Sequence, residues 1–182
     1  MSVDQLLWLT SRTAALTAFV VLLAAILTGQ ALRTSLLEGW VRKREVADLH
    51  QFLTVCWLPL IALHVVTVTL DAVSRLNWLD LFVPFRSPYA AIPIGLGTCA
   101  FDLLIVITVT SYLRQRISPP TWRWLHRLSY LMLALFVLHA LLAGTDMARP
   151  IIGAGLWALV AFTAILTVAR VIVGRLAVPP AR

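Results

Sequence analysis

Charge is scarce in this 182-residue chain. Only 13% of its residues are Asp, Glu, Lys or Arg, and eight are acidic. Soluble domains carry about a quarter charged residues, so this sequence cannot clothe a water-facing surface. Cysteine is scarcer still. Cys56 and Cys99 lie inside apolar segments without a CxxC spacing, which excludes a disulfide framework and a cysteine-based zinc site and leaves inert packing thiols. Glycines nowhere form a phosphate cradle. Gly95-Leu-Gly97 and Gly153-Ala-Gly155 open apolar runs and read as helix-packing sites, so no flavin or nicotinamide domain is expected. Long soluble segments and internal repeats are also missing. Asp4 and Arg12 precede the first apolar run in place of a basic leader, which argues against a cleaved signal peptide.

What remains is apolar. Hydrophobic residues make up 60% of the chain and the mean hydropathy is +0.90. Five segments are long enough to cross a bilayer, at residues 14–32, 49–70, 92–113, 125–143 and 151–173. The predicted fold is an all-α integral membrane protein, a single domain over 1–182 with five transmembrane helices in one bundle. Pro59 removes a backbone donor from the second span and is expected to kink it. The stretch 71–93 contains Pro84, Pro88 and Pro93 and reads as a structured loop. Most tryptophans fall near span ends, as an interfacial belt requires.

The net charge of +7 is divided among short loops rather than clustered, which marks topology and not nucleic-acid binding. Eleven Lys and Arg residues fall in the loops after spans one and three and in the tail. The opposite side has Arg12, Arg75, Arg86 and Arg149. The positive-inside rule then predicts an outer N-terminus and a cytoplasmic C-terminus in the plasma membrane.

Four histidines stand out against this background. His50 and His64 share the second span, fourteen residues apart; His126 and His139 share the fourth, thirteen apart. Each interval covers roughly 20 Å of helix, against a hydrocarbon core about 30 Å thick. The two spans run in the same direction, so His50 matches His126 in depth near the cytoplasmic face. His64 matches His139 toward the outer face. Buried histidines often only hydrogen-bond between helices, but two depth-matched pairs suit two planar metal cofactors stacked across the bilayer. Zinc fits less well, since it needs three or four ligands at one point. One angular difficulty stands: thirteen residues turn a straight helix about 140° away from its starting direction. A second class of function is a haem-free protein whose histidines and Asp102 line a proton or metal-ion path.

The segment Trp122-Arg-Trp-Leu-His-Arg-Leu-Ser-Tyr130, followed by His139, resembles the haem-binding helix of the ferric reductase-like transmembrane superfamily. That superfamily includes ferric-chelate reductases, NADPH oxidase membrane domains and the haem subunit of the periplasmic methionine sulfoxide reductase system. The two histidine spacings, the single intervening helix and the Thr-Ser-Arg12 entry of span one extend the resemblance over essentially the whole chain. The resemblance implies two b-type haems. His50 and His126 would ligate the inner iron, and His64 and His139 the outer one. Closed bis-histidine ligation suits outer-sphere electron transfer to an extracytoplasmic acceptor such as a ferric chelate, oxygen or a partner reductase.

Propionates need cationic partners. Arg42, Arg44, Arg123 and Arg127 lie at the inner depth, and Arg12 stands at the outer entry of span one, where the resemblance places an arginine near the outer haem. Asp102, in the middle of span three, could hydrogen-bond a ligand histidine's second ring nitrogen, hold a proton for quinol chemistry, or bond a neighbouring helix. Without a flavin domain, electrons are expected from a cytoplasmic flavoprotein carrying FAD or FMN, or from membrane quinol.

Overall fold

The computed structural model describes residues 2–32, 41–74 and 76–176. Its long elements are five helices: α1 (Val3–Ala31), α2 (Lys43–Leu70), α3 (Ala91–Tyr112), α4 (Pro119–Ala143) and α5 (Pro150–Leu176). Each is long and apolar enough to cross a membrane, and no strand occurs among the described residues. Large side chains on these helices, among them Val55, Leu131, Ile151 and Ile165, are exposed. In a lipid solvent such surfaces carry no hydrophobic penalty. The chain is therefore a multi-pass membrane protein.

The helices begin earlier than hydropathy alone indicates. α1 starts at Val3 and α4 at Pro119, because polar flanking residues continue a helix that only a cap or a break ends. At α4 the cap is visible. Ser118 Oγ accepts the Thr121 backbone N–H at 3.4 Å, and Pro119 and Pro120 occupy positions where the missing N–H costs nothing. α2 continues through Pro59 to Leu70 without a break. Trp57, buried in α2, departs from the interfacial belt, whereas Trp78, Trp124 and Trp157 are exposed. Trp40, Arg33, Arg75 and Arg182 lie outside the described residues. Cys56 and Cys99 are free thiols.

The chain divides into two compact units. One comprises Arg12–His64 with Pro150–Arg182, the other Met1–Ser11 with Val65–Arg149. In the first, α1 supplies buried Ala18, Leu22 and Leu23, and Gln30 Nε2 donates to Thr167 Oγ1 of α5.

In the second unit the loop between α2 and α3 is ordered by its own polar groups. Asn77 and Asp80 form a capping box around a short 3-10 helix, Trp78–Leu81. The Asp80 carboxylate accepts the Asn77 N–H at 2.9 Å and lies 3.8 Å from Arg86 Nε. The Thr98 hydroxyl donates to the Asp80 carbonyl at 2.9 Å, fastening the loop to α3. Phe85 and Ala90 both adopt positive φ, at 63° and 47°, a region that costs free energy for residues with a Cβ. Gly95 removes the Cβ that would collide with the Phe85 ring and backbone. Pro93, expected in the loop, falls instead in the first turn of α3.

Candidate functional site

α2 carries His50 and His64, and α4 carries His126 and His139. All four rings are half-buried. In the first unit, His50 Nδ1 lies 2.7 Å from the Ala25 carbonyl oxygen of α1. In the second, His139 Nδ1 lies 2.8 Å from the Pro93 carbonyl oxygen of α3. A carbonyl only accepts, so in both rings Nδ1 carries the proton and donates it. The lone pair then belongs to Nε2, the nitrogen such a ring presents to a metal.

The two arrangements share a backbone device. A side chain four residues along an α-helix overlies the carbonyl beneath it, as Thr28 shows by donating its hydroxyl to Ala24 and Ala25 oxygens, each at 2.9 Å. Four residues after Ala25 stands Gly29, and four after Pro93 stands Gly97. A Cβ on Gly29 would lie 3.1 Å from His50 Cε1; one on Gly97 would lie 2.7 Å from His139 Nδ1. Each glycine bares the carbonyl and admits the imidazole edge. Thr28 Oγ1 adds a contact to His50 Nδ1 at 3.3 Å.

His126 is held differently. Its ring stacks on Trp122, one turn earlier, with centroids 5.1 Å apart and planes inclined by 23°. Ser111 Oγ of α3 lies 3.4 Å from its Nδ1. Both α4 histidines thus meet α3, although their spacing turns them about 140° apart on a straight helix. Pro93 and Ser111 are eighteen residues apart, five full helical turns, so a single face of α3 receives both rings. Asp102 is nine residues from each, half a turn out of phase, on the opposite face of α3. The Nδ1 contacts described on α3 are those of Pro93 with His139 and Ser111 with His126.

The cations are more scattered. Arg42 is exposed immediately before α2, and Arg123 and Arg127 are exposed on α4. Arg44 is 3.9 Å from Asp48 in an exposed pair, an interaction of small energetic weight. Arg12 is half-buried in α1. Among the described residues no three His, Cys, Asp or Glu side chains cluster as a protein-only metal centre requires.

A haem agrees with the groups present on two counts. The Nδ1-protonated tautomers of His50 and His139 would leave Nε2 as the nitrogen that binds iron. The Trp122 indole N–H, buried and without an acceptor, is a donor one turn from His126, where an anionic propionate would satisfy it. The histidines were visible in the sequence as polar residues in apolar spans. Gly29, Gly97, the Ala25 and Pro93 carbonyls, Ser111 and the orphan Trp122 donor were not, because each gains meaning only from its neighbour on another helix or from its burial. From sequence alone Gly97 reads only as a helix-packing site.

No curated protein and no solved structure matches the chain. A family model described as ferric reductase like transmembrane component matches residues 13–137, a stretch that includes α2, α3 and all but the end of α4. His50, His64 and His126 fall inside it, and His139 lies two residues beyond. The chain belongs to the ferric reductase-like transmembrane family, whose membership points to electron transfer in a membrane.

Proposed function

We propose that this protein is a b-type cytochrome that passes single electrons across the plasma membrane through two bis-histidine haems. His50 and His126 hold the inner iron, and His64 and His139 the outer one. The observation that carries the reading is the carbonyl-held imidazole found once on each histidine-bearing helix, His50 on Ala25 and His139 on Pro93. A ring whose tautomer and plane are fixed by a backbone oxygen is prepared for a metal at Nε2.

When bound, haem supplies one-electron Fe(III)/Fe(II) chemistry. The protein's own groups position it and exclude competing reactions. With an imidazole from each of two helices bound to it, each iron would be closed to small molecules and suited to outer-sphere electron transfer. Arg42, Arg123 and Arg127 would pair with inner propionates, joined by the Trp122 N–H, and Arg12 would serve the outer propionates or the acceptor. The donor is a flavoprotein carrying FAD or FMN at the cytoplasmic face, or membrane quinol. The acceptor is a ferric chelate, oxygen or a partner reductase outside.

Proteoliposomes enclosing ferricyanide test the transfer step. With a membrane-impermeant one-electron reductant outside, the trapped iron should be reduced, whereas vesicles containing His139→Ala protein should behave as empty ones. Equal rates in wild-type and empty vesicles would contradict the reading, and ion flux without electron transfer would favour a histidine-lined ion path.

A further inference from the structure

We propose that Gly29 and Gly97 are positioning residues, each opening one backbone carbonyl so that it fixes one iron-ligating imidazole: Ala25 for His50, Pro93 for His139. The inference deepens the haem reading and rests on it. It assigns α1 and α3, helices that contribute no ligand, the task of setting how strongly a ligand on the next helix donates to iron. A proton held by a carbonyl gives the imidazole partial imidazolate character, which favours ferric over ferrous iron. The bond therefore lowers the midpoint potential of the haem that the ring serves.

The two positions differ in tightness, and the difference sets the expected order of effect. At Gly29 the nearest approach of an added Cβ is 3.1 Å, to His50 Cε1, so the ring gives by a few tenths of an ångström. At Gly97 the Cβ would stand 2.7 Å from Nδ1 and 2.9 Å from Cε1 of His139. That ring must leave its carbonyl. Gly155, where an added Cβ meets nothing within 4 Å, provides a glycine-to-alanine change in a transmembrane helix without this contact.

The test is a redox titration of purified full-length protein, followed optically, with low-temperature electron paramagnetic resonance of the oxidised low-spin haems. His50→Ala and His139→Ala first identify which signal belongs to which histidine. Gly29→Ala should then raise the midpoint and shift the low-field g value only of the haem missing from His50→Ala. Gly97→Ala should act more strongly, shifting or losing only the haem missing from His139→Ala. Gly155→Ala should leave both signals at wild-type values. The inference is overturned if both glycine variants keep wild-type midpoints and g values, if either acts on the other haem, or if either perturbs both haems equally. Wild-type protein without haem would sink the cytochrome reading itself, whereas two wild-type haems with silent glycine variants would overturn this inference alone.

Discussion

His50 and His139 donate their Nδ1 protons to backbone carbonyls, and the choice of carbonyl rather than carboxylate matters in a membrane. A backbone oxygen brings an acceptor into the apolar interior without a charge to desolvate, while a carboxylate there would need pairing or protonation. Each such bond contributes about 1 kcal/mol net, little for the fold but enough to select one tautomer and one ring plane. The depth matching of the histidines gives a sharp prediction. His50→Ala and His126→Ala should each remove the same haem and leave the other, and His64→Ala and His139→Ala should do the converse, as resolved by the midpoints of the remaining haem. Loss of both haems from every single variant would break the pairing. At this scale the sequence discloses the histidines and hides the groups that hold their rings. A histidine in an apolar span is conspicuous, but Gly29 is one of eight glycines, and its use depends on which helix lies beside it.

The elements obey two different rules. Hydropathy locates the membrane-crossing part of each helix, and all five were legible for that reason. Capping and flanking polarity decide where helices start, so α1 begins at Val3 and α4 at Pro119, outside the windows that hydropathy marks. The loop between α2 and α3 is held by Asp80, a 4% exposed carboxylate that caps Asn77 and faces Arg86. Pro84 and Pro88 indicate order in this loop but not this knot. Asp80→Ala removes the acceptor and should cost about 1–2 kcal/mol, seen as faster proteolysis between α2 and α3 in detergent with haem content retained. Gly95→Ala should loosen the same loop more severely, since the Phe85 ring and its strained backbone occupy the Cβ position. Unchanged proteolysis of both variants would show that the loop is fastened elsewhere.

For the whole molecule, composition alone established a membrane protein, and the Trp122–Tyr130 segment with the histidine spacings was specific enough to carry the family. Orientation rests on the unequal distribution of Lys and Arg, a bias in how basic loops cross the membrane rather than in how helices pack. A green fluorescent protein fused after Arg182 should therefore fluoresce in the cytoplasm, and alkaline phosphatase fused at the same point should be inactive; the reverse pattern would invert the proposed direction of electron flow. The identity of donor and acceptor was not legible because neither is written in the transmembrane residues.

A dithionite-reduced minus oxidised spectrum of the purified protein, with haem quantified as the pyridine haemochrome and divided by chain concentration, decides whether the chain is a two-haem cytochrome. A cytochrome of the proposed kind gives b-type absorption and two haems per chain. A chain that stays haem-free after expression with ample haem would contradict that reading.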